Sequence, residues 1–216
     1  MNYYPIHIPI KDKKVLIIGG GRVALRKAKE LLLCDANVTV VSLHFVEEFK
    51  SLLSLYNNLS LIKKQFIEED IEGSFLVFAC TNNDKINSEI SDYCSNNDIL
   101  VNSATTITED NFIVPSILRK GSLTVGISTD GISPLLSKKI KHLFNDVLPE
   151  KIDNILILLK KLRLHLLNNE PWCDYSSDER KIIFETVLDD LLSNANVNME
   201  NLEDIDRYLE GVIKNK

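Results

Sequence analysis

A glycine-rich stretch near the N-terminus has the residue types and the spacing needed to bind a phosphate. Gly19, Gly21 and Ala24 fit the pattern G-x-G-x-x-G/A. In that pattern the first glycine makes a tight turn, the second lets backbone amides approach a pyrophosphate, and the small third residue allows a helix to pack closely. An apolar strand precedes the stretch and a helical pattern follows it, so the positive end of the helix would face the anion. The stretch predicts a dinucleotide site; the alternative is a glycine turn that binds nothing.

The residues that would bind the cofactor's ribose are less typical. Many NAD sites have Asp or Glu at the end of the second strand, about 20 residues further on. Here that strand runs into Ser42, Leu43 and His44, without a carboxylate. We expect Ser42, or backbone groups at Leu43 and His44, to contact the ribose. Because no Arg stands there to bind a 2′-phosphate, the sequence favours NAD over NADP.

A second polar turn, Ser128-Thr129-Asp130-Gly131, precedes a helix with Ser133 as its predicted N-cap and Pro134 at its first position. Small hydroxyl groups and backbone amides before a helix can bind a carboxylate, but any junction between a strand and a helix needs the same residues. The nearby basic residues have two interpretations as well, attraction of a polyanionic ligand or a solvated surface. They are Arg119, Lys120, Lys138, Lys139 and Lys141.

The cysteines and histidines do not predict a metal site. Cys34, Cys80, Cys94 and Cys173 form no CxxC pair, and the four histidines form no cluster. We therefore expect no metal ligands. The cysteines are interpreted as thiols in a reducing compartment.

The elements that would position these residues alternate along the first half of the chain. Strands are predicted at 14–18, 37–41, 59–62, 75–80 and 99–102, with helices at 23–33, 45–56 and 85–96. Strands that alternate with helices of this length form a parallel, doubly wound sheet.

The pattern changes after residue 111. Strands are predicted at 112–114 and 123–127, joined through residues 119–122, and helices at 134–147, 150–167, 177–192 and 202–213. The fold class is therefore α/β, with a Rossmann-like parallel sheet, a small central α+β segment and a helical C-terminal domain. The predicted boundaries are 1–111, 112–148 and 149–216.

Length and composition exclude several classes of protein. The chain has 216 residues, 44% of them hydrophobic, which is ordinary for a globular protein and excludes disorder. No apolar run reaches the ~20 residues that span a bilayer, and the N-terminus lacks the pattern of a signal peptide. The net charge of −6 argues against nucleic acid as a partner. We expect a cytoplasmic protein with no membrane partner.

Several motifs in fixed order carry a family resemblance. They are Tyr4-Pro5-Ile6, GGGRVALRKAKELL from Gly19, the run from Ala79 to Asp84, Val101-Asn102, FIVPS from Phe112, Arg119-Lys120-Gly121, and ISTDGISP from Ile127. In this spacing, residues 1–150 resemble the precorrin-2 dehydrogenase/sirohydrochlorin ferrochelatase family, the dehydrogenase–chelatase part of siroheme synthase. The resemblance implies a homodimer whose central segment builds much of the interface. It also implies oxidation of precorrin-2 to sirohydrochlorin with NAD⁺, and in some members insertion of Fe²⁺ or Co²⁺.

The same resemblance implies roles for individual residues. Arg22, Val23, Leu43 and His44 fall at positions that contact NAD, and the motifs add Thr81 to the cofactor site. Asn102, Ser128, Thr129 and Gly131 fall beside the tetrapyrrole substrate. The family's catalytic aspartate corresponds to Thr105 in this sequence.

Thr105 is the departure with the largest chemical consequence. A threonine hydroxyl is not a base at neutral pH, and loss of a positioned base costs ~10²–10⁴-fold in rate. Asp110, or Glu109 beside it, could compensate from the same loop; the alternative is a solvated turn. We expect an NAD-dependent dehydrogenase and expect metal insertion less. The alternatives are a non-catalytic tetrapyrrole carrier on the same scaffold and a nucleotide-sensing module, against which the FIVPS and STDGISP motifs argue.

Overall fold

The computed structural model describes residues 3–104, 110–170, 172–193 and 205–214, and the chain divides into two compact units, Met1–Val114 and Pro115–Lys216. The finer division into three domains remains a prediction.

The first unit is built on a five-stranded sheet in which every neighbouring pair is parallel. Its strands are β1 (Lys14–Ile18), β2 (Asn37–Ser42), β3 (Leu59–Lys63), β4 (Leu76–Ala79) and β5 (Leu100–Ser103), in the order β3-β2-β1-β4-β5. The predicted α/β class and the doubly wound sheet are confirmed. Strand order reverses at β1, so the carboxyl ends of β1, β2 and β4 surround the place where such sheets bind ligands.

Helices cover both faces of this sheet because β1 is apolar on both of its faces. Val15 and Ile17 pack in one core with α1 (Arg22–Leu32) and α2 (Glu48–Leu55). Leu16 and Ile18 pack in the other core with α3 (Asp84–Asn96) and a short 3-10 helix, Glu68–Ile71. Alternate residues of a strand point to opposite faces, so a continuous apolar run marks a central strand.

The start of α2 lies later than the sequence predicts. The helix begins at Glu48, three residues after the predicted start at Phe45. The backbone amide of Val46 donates to the carbonyl oxygen of Gly20 at 2.9 Å, so this part of the chain is bonded to the glycine loop before the helix starts.

The second unit opens with an antiparallel hairpin of β6 (Ser116–Lys120) and β7 (Leu123–Ile127). The predicted strand at 112–114 is therefore wrong. Lys120 pairs with Leu123, which leaves Gly121 and Ser122 as a two-residue turn, and Gly121 has the positive φ of +53° that such turns favour. Phe112 and Val114 pack instead against the core of the first unit.

After the hairpin, the described residues of the second unit form helices, as predicted. Helix α4 (Pro134–Val147) begins where the sequence places it, and the Ser133 hydroxyl accepts a hydrogen bond from the Leu136 amide at 3.2 Å. Helices α5 (Ile152–Asn168), α6 (Ser177–Ser193) and α7 (Ile205–Lys214) share one apolar core that includes Trp172. Within the described residues, no helix has the length and apolarity to cross a membrane.

Candidate functional site

The three glycines of the loop after β1 have different surroundings. Gly19 has φ +116°, and a Cβ there would lie 2.3 Å from the carbonyl oxygen of Cys80. A Cβ on Gly20 would lie 2.1 Å from the carbonyl oxygen of His44, whereas one on Gly21 would meet no atom within 4 Å. The first two glycines are therefore required by the fold. The third keeps open the space beside the helix that follows.

Helix α1 presents its N-terminus to that open space. Gly21 is its N-cap and, within the described chain, no side chain caps the first turn and no acidic residue stands in it. The amides of the first turn are then available for an anion, and the helix dipole favours a negative charge at this end. Ala24 is fully buried, as the close packing of helix and sheet requires. These features fit a dinucleotide pyrophosphate.

A cavity of about 630 Å³ extends from the glycine loop across the carboxyl ends of β1, β2 and β4. This volume is in the range of small-molecule and cofactor sites. Six of the predicted cofactor residues line it: Gly19, Gly21, Ser42, Leu43, His44 and Thr81. Arg22 and Val23 are exposed in the first turn of α1 and are not among its lining residues.

Ser42 shapes the cavity at the end of β2. Its hydroxyl donates to the carbonyl oxygen of His44 at 2.8 Å and accepts from the His44 amide at 3.3 Å. This pair of bonds folds residues 42–44 into a turn beside Gly20. The hydroxyl thus has a structural role next to the expected ribose position.

A buried asparagine positions Thr81. Asn87 on α3 has no exposed surface, and its side-chain oxygen accepts from the Thr81 hydroxyl at 2.7 Å and from the Thr81 amide at 3.2 Å. Its amide group donates to the carbonyl oxygen of Thr81 at 3.1 Å. Sequence reasoning missed Asn87; the signal was an amide side chain where the helical pattern calls for an apolar residue.

Asp110 is hydrogen-bonded to the end of β5. Its carboxylate accepts from the Ser103 amide at 2.6 Å and from the Asn102 side chain at 2.8 Å. The predicted catalytic residue Asp110 and the predicted substrate residue Asn102 are thus in direct contact. Thr105 and Glu109 lie outside the described residues.

Lys27 and Cys80 interact electrostatically with Asp110, and Cys80 lies on the α1 side of the sheet. The Lys27 ammonium sits 5.0 Å from the centroid of the Phe78 ring. Burial lowers the pKa of Lys27, although nearby Glu30, Cys80 and Asp110 act in the opposite direction. Burial also raises the pKa of the Cys80 thiol to about 11, so this cysteine is protonated and unreactive at neutral pH.

The predicted substrate residues of the second unit form a tight turn before α4. The Thr129 hydroxyl accepts from the Ser133 amide at 3.1 Å and lies 3.2 Å from the Ser137 hydroxyl. Asp130 and Gly131 have positive φ values of +51° and +79°, and the Ser128 hydroxyl accepts from the Asp130 amide at 3.2 Å. These bonds give the small hydroxyl residues of the turn a structural role. Contact with a substrate remains a prediction.

One of the basic residues near this turn has a structural role. The Lys120 ammonium donates to the carbonyl oxygens of Asn145 and Leu148, at 3.0 and 3.4 Å. Both acceptors lie at the C-terminal end of α4, where a cation is favourable for the helix dipole.

No metal site is visible in the described part of the chain. No group of three or more His, Cys, Asp or Glu side chains there could hold an ion. All four cysteines are free thiols.

Known proteins resemble this chain in both sequence and structure. The siroheme synthase of Pseudoalteromonas translucida (strain TAC 125) is 32% identical over 163 residues, which are 76% of this chain and 34% of the relative. That of Buchnera aphidicola (subsp. Acyrthosiphon pisum, strain APS) is 35% identical over 164 residues, again 76% and 34%. The chain therefore spans about a third of the length of these curated relatives.

A solved structure named SirC, precorrin-2 dehydrogenase, superposes with a TM-score of 0.74 at 26% identity, covering 98% of this chain and 100% of that one. The family resemblance inferred from the motifs is confirmed. A family model described as "Putative NAD(P)-binding" matches residues 6–116, which include the whole glycine loop and the sheet. The chain belongs to this NAD(P)-binding family.

Proposed function

We propose that this chain is an NAD-dependent dehydrogenase that oxidises precorrin-2 to sirohydrochlorin. The observation that carries the proposal is the cavity of about 630 Å³ over an uncapped helix N-terminus, in a chain that matches a precorrin-2 dehydrogenase structure over 98% of its length. The reaction removes a hydride and a proton from the substrate, and NAD⁺ accepts the hydride when it is bound.

The chain's own residues bind and orient the two reactants. Amides after Gly21 receive the pyrophosphate, and the turn at Ser42–His44 forms the wall beside the ribose. Thr81, held by Asn87, lines the same cavity further along the sheet. Fixing both reactants in one geometry is the main rate contribution available to such a site.

We also propose roles at the substrate end of the site. Asn102 and the Ser128–Gly131 turn contact the tetrapyrrole. Thr105 takes the position of the family's aspartate, and Asp110 is the nearest described carboxylate to Asn102. Because threonine is a poor base, proton removal at this site is expected to be slow.

The decisive experiment is anaerobic incubation of the purified full chain with precorrin-2 and NAD⁺, with NADH and the sirohydrochlorin spectrum followed over time. NADH formed in step with sirohydrochlorin supports the dehydrogenase. Absence of NADH from a folded protein that binds NAD⁺ and precorrin-2 contradicts it. Addition of Fe²⁺ or Co²⁺ afterwards tests whether the chain also inserts a metal substrate.

The threonine at position 105 favours a second function, that of a non-catalytic tetrapyrrole carrier. This alternative expects sirohydrochlorin to bind without turnover. It also expects Thr105→Asp to introduce NADH formation into an inactive protein. A measurable rate of NADH formation by the wild-type chain would exclude the carrier.

A homodimer and a cytoplasmic location complete the proposal. Helix α4 carries exposed apolar side chains, of which Leu143 is 58% and Val147 is 83% exposed, and such surfaces mark contacts between chains. The free thiols support a reducing compartment.

A further inference from the structure

The β2–β3 pair brings a lysine to the ribose end of the cavity. Ser42 on β2 is paired in register with Lys63 on β3. The residues that follow each strand, Leu43 and His44 on one side and Lys64 and Gln65 on the other, all line the cavity. Among the described lining residues, Lys64 is the one lysine or arginine. A dinucleotide on the glycine loop directs its adenine ribose towards the end of β2.

Lys64 is already paired with a carboxylate. Its ammonium lies 2.5 Å from Oδ1 of Asp70, whose side chain is only 14% exposed. Oδ2 of Asp70 accepts from the Ile67 amide at 3.1 Å, which holds the carboxylate against the loop after β3. The carboxylate thus neutralises the lysine and also limits where it can move.

The other charged side chains of the cavity wall are acidic. Glu68 and Glu89 also line the cavity, and Glu89 lies 3.9 Å from the ammonium of Lys85, an exposed lysine that does not line it. A 2′-phosphate bound at this wall would lose its hydration water, and Lys64 could not fully replace that water because it is already paired with Asp70. The phosphate would also be repelled by the carboxylates of the wall. A ribose hydroxyl carries no charge and avoids both penalties.

We infer that Asp70 is a specificity-determining residue, which selects NAD over NADP by holding Lys64 in an ion pair. The inference rests on the proposed function, since it assumes that the cavity binds a dinucleotide. It assigns a role to two residues that stand more than 20 positions after the second strand, outside the segment where sequence reasoning looks for ribose ligands.

Direct binding of NADH and NADPH to the full chain tests the inference without a turnover assay. In Asp70→Asn the remaining side-chain oxygen can still accept from the Ile67 amide, but the charge that neutralises Lys64 is gone. A charged hydrogen bond to the 2′-phosphate corresponds to roughly a tenfold or larger gain. The ratio of NADPH to NADH affinity, measured by fluorescence titration, should therefore rise about tenfold.

Two further variants make the result specific. The double variant Lys64→Gln/Asp70→Asn should lose the gain, because no lysine remains to bind the phosphate. The single variant Lys64→Gln leaves the Asp70 carboxylate unpaired and should lower the NADPH to NADH ratio below that of the wild type. This variant decides the question if Asp70→Asn fails to fold.

The outcomes separate the inference from the proposed function. An unchanged ratio in a folded Asp70→Asn protein that still binds NADH overturns the inference and leaves the dehydrogenase in place. Wild-type preference for NADPH overturns the inference as well. If a folded wild-type protein binds neither nucleotide, the proposed function fails with it.

Discussion

Gly20 and Gly21 are adjacent in the chain, yet a side chain added at each would meet different surroundings. The Cβ of an alanine at Gly20 would lie 2.1 Å from a backbone oxygen of His44, which cannot move without shifting the turn. The Cβ of an alanine at Gly21 would point into open space, and Gly21 has φ −83°, which any residue adopts. The two substitutions therefore separate folding from binding.

We expect Gly20→Ala to destabilise the protein by about 1–3 kcal/mol, as overpacking does. Gly21→Ala should change the free energy of unfolding by less than about 1 kcal/mol, while it weakens NADH binding because the methyl group occupies the pyrophosphate's approach. Urea denaturation and an NADH titration measure the two effects. Unchanged NADH affinity in Gly21→Ala would show that the dinucleotide does not use this loop.

Asp110 allows a second test at the residue scale, since its contact with Asn102 and its charge can be changed separately. In Asp110→Asn the remaining side-chain oxygen can accept from the Ser103 amide, which leaves the new NH2 group facing the NH2 group of Asn102. The negative charge is also removed, so we expect loss of precorrin-2 oxidation. Asn102→Asp/Asp110→Asn restores a donor–acceptor pair but moves the carboxylate from residue 110 to residue 102. NADH formation recovered to near the wild-type rate in the double variant would indicate that the role of Asp110 is its structural contact with residue 102. Continued loss in a folded double variant would support a catalytic carboxylate at residue 110.

At the scale of elements, the two buried thiols report on how closely the helices pack against the two faces of the sheet, Cys80 on the α1 side and Cys94 on the α3 side. Burial raises the pKa of Cys80, just after β4, to about 11 and that of Cys94, in α3, to about 12, from an ordinary value of 9.0. Both thiols are then protonated in the folded chain at a pH where the unfolded chain has begun to ionise. Protons bound preferentially by the folded state stabilise it.

The stabilisation from these thiols is complete below about pH 9 and decreases as the pH rises towards their folded-state pKa values of about 11 and 12. We therefore expect the free energy of unfolding to fall between pH 9 and pH 11, and to fall less steeply in Cys80→Ala/Cys94→Ala. The control is Cys34→Ala/Cys173→Ala, which removes two half-buried thiols and should keep the wild-type slope. Equal slopes for both double variants, measured by urea unfolding, would contradict the prediction.

At the scale of the whole molecule, helix α4 has an exposed apolar surface that a second protein chain could cover. Leu136, Leu143, Phe144 and Val147 form one stripe on the helix at 100° per residue, and each is at least 49% exposed. The opposite face of α4 carries Asn145 and Lys138. A surface of this kind is typical of an interface between chains.

We expect Leu143→Glu to shift the proposed homodimer towards monomer, because it brings an unpaired charge into an apolar contact. Asn145→Glu adds the same charge on the opposite face of the same helix and should leave the dimer intact. Sedimentation velocity over a range of concentrations measures both. A monomeric wild type, or equal behaviour of the two variants, would exclude dimerisation through this stripe.

How much of the fold could be read from the sequence depended on how local the signals were. Helix α4 was predicted with both its ends, because Ser133, Pro134 and the apolar spacing all act within a few residues. The strand predicted at 112–114 was wrong, because short apolar runs look alike and the hairpin register between Ser116 and Ile127 decides which one pairs. The role of Asn87 could not be predicted, because its partner at Thr81 faces it only after α3 folds back on the sheet.

The sequence by itself determined the class of the protein: a parallel α/β sheet, a glycine loop at the head of a helix, and the motifs of a tetrapyrrole dehydrogenase family. These signals are periodic or contiguous along the chain, so they can be recognised without a structure. Tertiary structure alone decided that Gly20 must stay a glycine because of His44, that Asp110 accepts a hydrogen bond from Asn102, and that Lys64 lines the cavity while paired with Asp70. Each of these depends on how the chain folds back after a parallel strand has ended, and an amino-acid pattern carries no record of that geometry.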